Sequence, residues 1–178
     1  MKRLSMQEII DIIQTLCYSD SSKRILISMV GIPGSRKSIV SEEISKQLGF
    51  DRVGIDDIRK EFKTVLYPGE SFDDRLVFEE SYKRLKNALE NKGLAIYDAT
   101  NVYPKWRRKT NVITNYYYDI SICIFMDTGI INCIKNTNEH DDPVSTEIIE
   151  RMYNSVCRFP PSLDEGYDII FRCKEFDR

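Results

Sequence analysis

The sequence predicts a three-layer α/β fold, in which a central, mostly parallel sheet of about five strands lies between two layers of helices. Two observations predict it. Short apolar, β-branched runs recur along the chain, and segments with apolar residues every three or four positions separate them. This alternation is typical of a parallel sheet covered by helices on both faces. With 178 residues, the chain is expected to form a single domain over residues 1–178.

The same pattern predicts the individual elements. Strands are expected at residues 25–30, 52–55, 94–97, 120–126 and 168–173. Helices are expected at residues 5–18, from the glycine-rich loop to Gly49, at 57–65, at 71–92, from about Pro104, at 129–136 and over Ile148–Val156. Ser5 to Glu8 has the S-x-x-E form of a capping box, so residues 1–20 are expected to be an N-terminal helical extension that packs on the sheet.

The composition excludes several classes of protein. The net charge is −2, so no global positive field attracts nucleic acid, and only a local basic patch could do so. Five cysteines without a C-x-x-C pair, together with one histidine, predict free, mostly buried thiols rather than a zinc site. No segment has the roughly 20 apolar residues that a membrane span needs, and the N-terminus does not resemble a signal peptide. We therefore expect a cytoplasmic protein without a membrane partner.

A glycine-rich loop follows the first of these strands and leads into a helix. It consists of Gly31-Ile32-Pro33-Gly34-Ser35-Arg36-Lys37-Ser38 and matches the pattern G-x-x-x-x-G-K-[ST] except at Arg36. In such loops the backbone N–H groups point at phosphates, the lysine reaches the β- and γ-phosphates, and the hydroxyl binds Mg²⁺. The sequence therefore predicts a P-loop NTPase kinase fold that binds ATP and Mg²⁺. The nucleotide-binding residues would be Gly31, Gly34, Ser35, Arg36, Lys37 and Ser38, with Ser38 at the metal.

Arg36 is the position where the loop departs from this pattern. Glycine serves there because it tolerates close backbone approach and positive φ. An arginine must turn its side chain outward or distort the loop, and if it turned inward its charge could contact phosphate. Two alternatives stay open: a glycine turn that has nothing to do with phosphate, and a decayed loop that binds ATP weakly.

Polar side chains follow the other strands at the same edge of the predicted sheet, where ligands bind in folds of this kind. Asp56 and Arg59 come one helical turn apart after the second strand, and a carboxylate there could orient an attacking hydroxyl while the arginine holds a phosphate. Asp98, Thr100 and Asn101 follow the third strand. The alternatives are a helix N-cap with a solvated arginine, and an ordinary turn cluster.

A basic segment, residues 105–109, follows on the next helix. A run of charges on a helix usually forms a solvated face, and this is the prediction for Lys105, Arg107, Arg108 and Lys109. The alternative is a nucleic-acid contact with Trp106 as a stacking platform.

Taken together, these motifs resemble those of the polynucleotide 5′-kinase family over roughly residues 24–173. The matching blocks, in order, are GIPGSRKS, DDIR, YDATN, a helix with paired arginines, a strand ending at Asp127, KN with a later PVSTEIIERM, and FPPSLDEGYDII. The resemblance implies a P-loop kinase fold. It also implies transfer of the ATP γ-phosphate to the 5′-hydroxyl of DNA or RNA, an activity of nucleic-acid repair.

The resemblance also implies roles for single residues. Lys37 and Ser38 match the phosphate and Mg²⁺ residues, Asp56 matches the general base, and Arg59 matches an arginine that contacts the acceptor's 3′-phosphate. Asp98 matches an acceptor-site aspartate. Thr100 and Asn101 lie in the same motif and are expected to face the substrate.

The expected lid, about residues 136–143, departs from the family pattern. The family clamps ATP with arginines in an RNxxR-like pattern, whereas here Lys135 and Asn136 align with its start and Glu139 replaces its second arginine. Lys135 is therefore the expected lid contact to ATP. Since Arg36 could supply the missing charge from the other side, we expect Arg36→Gly to lower activity rather than restore it.

Three functions follow from these observations. The first is a polynucleotide 5′-hydroxyl kinase, and the second is a kinase of the same fold that phosphorylates a small molecule or a nucleotide. The third is a nucleotide-binding or interaction module without catalytic activity, for which the changes at Arg36 and Glu139 are the sequence argument.

Overall fold

The computed structural model describes residues 3–139 and 143–174, and their strands form one sheet in which every pair is parallel. The strands are β1 (Arg3–Leu4), β2 (Ile25–Val30), β3 (Asp51–Gly54), β4 (Leu94–Asp98), β5 (Ile120–Asp127) and β6 (Ile169–Lys174), in the order β1-β6-β5-β2-β4-β3. The predicted parallel α/β fold is confirmed. The sheet has six strands rather than five, because a two-residue strand such as β1 is too short to leave a periodic pattern.

The helices alternate with the strands as expected. They are α1 (Met6–Ser19), α2 (Lys37–Leu48), α3 (Ile55–Glu61), α4 (Asp74–Asn91), α5 (Pro104–Thr114), α6 (Ile130–Asn138) and α7 (Thr146–Arg158). Two boundaries were predicted wrongly. Ile55 begins α3 instead of ending a strand, and the second half of the helix expected at 57–65 is a π-helical segment, Phe62–Leu66. Apolar side chains alone do not distinguish these geometries.

Helices cover both faces of the sheet and bury its apolar side chains. Alternate residues of β2 point to opposite faces, so that Ile27 packs in a cluster with α1 and α2, while Leu26 packs in a cluster with α3 and α4. The capping box at Ser5 is present, and α1 buries Ile9, Ile10 and Ile13 in the first of these clusters. The N-terminal extension therefore packs on the sheet, as predicted.

Two expectations from composition concern the cysteines and the membrane. No disulfide joins the five cysteines within residues 3–139 and 143–174, and those on β5, α6 and β6 are buried, whereas Cys157 is exposed. Over residues 3–139 and 143–174, each helix is too short or too polar to cross a bilayer.

The basic segment of α5 is not a solvated face throughout, because Arg107 is completely buried. Its Nε and Nη2 donate to the Glu165 carboxylate at 2.5 and 2.7 Å, and it also donates to the backbone carbonyls of Asn101, Val102 and Phe159. The sequence prediction was wrong for this residue, since a single helical face cannot be assigned to a run of adjacent charges. Lys105, Arg108 and Lys109 are exposed, as expected.

We predict that Arg107→Ala lowers the free energy of unfolding by about 3–5 kcal/mol, because Glu165 would stay buried without its counter-ion. Urea denaturation measures this change. The matched control is Arg108→Ala on the same helix, whose partner is the exposed Asp164 and whose loss should cost about 0–1 kcal/mol. Equal losses in the two variants would contradict the prediction.

Candidate active site

The glycine-rich loop leaves β2 and is held by the segments that follow the two neighbouring strands. The Gly31 N–H donates to the Thr100 carbonyl at 2.9 Å, and the Thr128 hydroxyl donates to the Ser35 carbonyl at 3.2 Å. Gly34 has φ +75°, and a Cβ there would lie 2.1 Å from the carbonyl oxygen of Cys133 on α6. The loop is therefore anchored on both sides and packs closely against α6 at a position where only glycine fits.

Arg36 adopts the backbone conformation that the motif ordinarily reserves for glycine, with φ 64° and ψ 23°. Its Nη2 donates to Asn136 Oδ1 at 3.1 Å, and Asn136 Nδ2 in turn donates to the Gly34 carbonyl at 2.9 Å. The side chain thus contacts α6, and α2 still begins at Lys37. Arg36→Gly is expected to lower activity because it removes a charge near the phosphates. The structure adds a second reason, since the variant also loses the contact between the loop and α6.

We predict that Arg36→Gly is more stable than Arg36→Ala by about 1 kcal/mol. Both variants lose the hydrogen bond to Asn136, but only glycine adopts positive φ without a Cβ clash. Urea denaturation of the two variants measures the difference. Equal stability would mean that the loop does not hold residue 36 in the left-handed conformation.

Lys37 and Ser38 form the first turn of α2. The Lys37 side chain has no hydrogen-bond or ion-pair partner among residues 3–139 and 143–174, although the residue is only 8% exposed. The first turn of α2 contains no acidic residue. A helix N-terminus carries a partial positive charge, and a buried ammonium group is costly without an anion. The arrangement can therefore bind an anion such as phosphate.

Asp98 is buried at the end of β4, beside the helix that follows the loop. Its Oδ2 accepts from Arg52 Nη2 at 2.6 Å and lies 2.9 Å from the Ser41 hydroxyl, which is also 2.9 Å from the Ser38 carbonyl. Asp98 Oδ1 is buried without a partner in the described part of the chain. Asp98 is therefore linked to the first turns of α2, and one of its oxygens is unused.

Sequence reasoning missed Arg52, which lies on β3 between two carboxylates. It contacts Asp98 and also donates from Nη1 to Asp57 Oδ2 at 2.5 Å. Burial lowers the pKa of Arg52, but the Asp98 carboxylate and the hydrogen bonds to Asp98 and Asp57 outweigh it and raise that pKa. The available signal was an arginine inside the short strand β3, directly before the buried residues Val53 and Gly54.

The structure brings Asp56 and Arg59 together on α3. Arg59 Nη1 donates to Asp56 Oδ1 at 2.7 Å, as the spacing predicted, and Arg59 Nε donates to Asp74 Oδ1 at 3.3 Å. The Asp56 side chain is 80% exposed. A carboxylate that is accessible in this way, and held by an arginine, can accept a proton from a bound hydroxyl.

The Asn101 side chain contacts the protein rather than an open cleft, whereas Thr100 is half-buried and its place at the substrate stays a prediction. Asn101 has φ 48°, is buried, and donates from Nδ2 to the Met29 carbonyl at 3.0 Å. The Thr100 carbonyl accepts from Gly31. These contacts hold β2 and the start of the loop in place. Asn101 therefore has a structural role at this edge of the sheet.

The remaining candidates lie around β5 and α6. Asp127 forms ion pairs with Arg3 and Arg172. Lys135 is exposed on α6, which ends just before Glu139. Asn136 and Thr137 are buried in α6, so the first part of the expected lid is helix, and residues 140–142 of that lid lie outside the described residues.

Comparison with known proteins places the chain in a family. A family model described as "AAA domain" matches residues 26–156. An L-seryl-tRNA(Sec) kinase of Methanococcus maripaludis is 28% identical over 134 residues, which cover 72% of this chain and 51% of that protein. The chain thus spans about half the length of this curated relative.

Solved structures share the fold at low sequence identity. A chain from the Pnkp1/Rnl/Hen1 RNA repair complex matches with a TM-score of 0.66 at 18% identity, covering 76% of this chain and 45% of that one. A gluconokinase from Sinorhizobium meliloti 1021 matches with a TM-score of 0.57 at 12% identity, covering 87% and 85%. The chain belongs to the AAA domain family and has the fold of the P-loop kinases.

Proposed function

We propose that the protein is an ATP-dependent kinase that transfers the γ-phosphate to a hydroxyl group, and that the acceptor is the 5′-hydroxyl end of a polynucleotide. The assignment as an ATP-dependent kinase rests on Lys37. This buried residue lies at a helix N-terminus, and its side chain has no partner among the described residues. The triphosphate of ATP supplies the anion that this arrangement requires.

Mg²⁺ fits the same place by the chemistry of its donors. The Ser38 hydroxyl and the unpartnered Oδ1 of Asp98 are hard oxygen ligands, and Mg²⁺ is usually held by one or two such groups together with substrate phosphates. When bound, the ion neutralises charge on the β- and γ-phosphates. Lys37 would bind the same phosphates, and the backbone of residues 31–36 would orient them.

The acceptor side of the proposal rests on Asp56 and Arg59. Asp56 would orient the hydroxyl and accept its proton, and Arg59 would bind a phosphate of the acceptor by a bidentate contact. Support comes from the ordered motifs that resemble the polynucleotide 5′-kinases. A second candidate is a hydroxyl carried on an RNA-linked amino acid, which the similarity to an L-seryl-tRNA(Sec) kinase favours.

We predict that Mg·ATP stabilises the wild-type protein against thermal unfolding and that Lys37→Ala removes this effect. At 100 times its Kd, a ligand stabilises the folded state by about 2.7 kcal/mol. Lys46→Ala is the matched control, because that lysine lies exposed at the other end of α2. Absence of a shift for wild type at millimolar Mg·ATP would contradict the proposal and favour a module that does not bind nucleotide.

We predict that Asp56→Asn lowers kcat for phosphorylation of a 5′-hydroxyl oligonucleotide by about 10²-fold or more, through loss of the proton acceptor. Asp57→Asn is the control, because Asp57 is adjacent and exposed but is paired with Arg52. The assay follows transfer of labelled γ-phosphate.

The same assay tests the acceptor class. It is run with 5′-hydroxyl oligonucleotides, seryl-tRNA and small hydroxylated molecules as competing acceptors. Preferential labelling of either of the other two classes would contradict the polynucleotide assignment, and it would leave the kinase assignment intact.

A further inference from the structure

An aromatic pair with two lysines lies between α4 and α5. Trp106 stacks on Phe78 with ring centroids 5.9 Å apart and an interplanar angle of 3°. Lys105 Nζ lies 4.7 Å from the centroid of the indole ring, and Lys109 Nζ lies 5.4 Å from it. We call these four residues the α4–α5 platform.

The platform carries positive charge that the rest of the described chain does not neutralise. Lys105 and Lys109 are exposed and form no ion pair with any carboxylate of residues 3–139 and 143–174. α5 itself contains no acidic residue. Among the carboxylates near the start of α4, Asp73 pairs with Arg75, Asp74 with Arg59 and Glu80 with Arg84, whereas Glu79 forms no ion pair within the described ranges.

Trp106 is positioned to contact a ligand rather than to fill the core. It is half-buried and is not part of the three buried apolar clusters. Its indole N–H has no hydrogen-bond partner in the described ranges. Lys105 and Lys109 are exposed and have long flexible stems, so their ammonium groups can move aside for a planar ligand and still contact an anionic one.

The platform lies at the edge of the sheet where the candidate active site is found. α4 leads into β4 and α5 leaves it, so the first turns of both helices lie at the carboxyl edge. Asp74, on the first turn of α4, accepts from Arg59. Phe78 follows one turn later, about 6 Å along the helix axis. The Asp56–Arg59 pair and the platform therefore lie near the same end of α4.

We propose that the α4–α5 platform binds single-stranded nucleic acid, namely the nucleotides that follow the reactive 5′ end of the acceptor. A base stacks on Trp106, and Lys105 and Lys109 contact the flanking phosphates. Alternating aromatic and basic groups along a surface are the usual means of holding single strands without sequence readout. This inference rests on the proposed function for its biological role, although the binding itself is independent of phosphate transfer.

Trp106 is the only tryptophan of the chain, so intrinsic fluorescence reports directly on this ring. The test titrates the wild-type protein, without ATP, with a 5′-hydroxyl oligothymidylate of ten nucleotides. We expect saturable quenching, and a Kd that rises with salt because phosphate contacts release counter-ions. Quenching that is absent, or that does not saturate, would overturn the proposal.

Two double variants, which remove the same amount of charge at different places on the protein, make the test specific to the platform. Lys105→Gln/Lys109→Gln should raise the Kd at least 10-fold and reduce the slope of log Kd against log salt by about 1.4. The control, Lys23→Gln/Lys46→Gln, removes the same charge from exposed positions at the opposite edge and should leave the Kd unchanged. Equal effects of the two pairs would overturn the proposal, because binding would then reflect net charge alone.

Kinetics separate this proposal from the proposed function. In the platform variant the KM for the ten-nucleotide acceptor should rise, while the KM values for ATP and for a nucleoside 3′-monophosphate stay at wild-type levels. An equal rise for both acceptors would overturn the platform. Oligonucleotide binding without phosphate transfer to any 5′-hydroxyl would overturn the polynucleotide acceptor of the proposed function and support the platform.

Discussion

The electrostatic constraint on Lys37 is the feature on which the rest of the site depends. Lys37 is only 8% exposed as a residue and lies at the positive end of α2, and its side chain gains no carboxylate from the described chain. Such a group is stabilised when an anion binds. In loops of this pattern backbone N–H groups also point at phosphate, so that charge and hydrogen bonding would favour one class of ligand.

The loop can offer these groups because distant residues hold it in place. Thr100 accepts from Gly31, and the Asn101 side chain donates to the carbonyl of Met29 at the end of β2. The carbonyl of Asn101 is in turn bound by Arg107, whose charge Glu165 neutralises in the interior. A buried ion pair outside the site therefore supports the backbone that is proposed to bind phosphate, and this support can offset its cost in desolvation.

The sequence predicts the fold and the strand–loop–helix position of GIPGSRKS well, because both follow from local patterns. The contacts that depend on tertiary structure could not be predicted. Arg107 was expected to be solvated, since its partner Glu165 lies 58 residues further along the chain. Arg52 was missed for the same reason, and the direction of the Arg36 side chain is decided by α6, which no local pattern reveals.

A crystal structure with Mg²⁺ and a non-hydrolysable ATP analogue tests the central claim most directly. The account predicts that the β-phosphate lies within hydrogen-bond distance of the backbone N–H groups of residues 34–38 and of Lys37 Nζ, with Arg36 still at positive φ. An analogue bound elsewhere, or a loop that closes over Lys37 and excludes the phosphates, would contradict it.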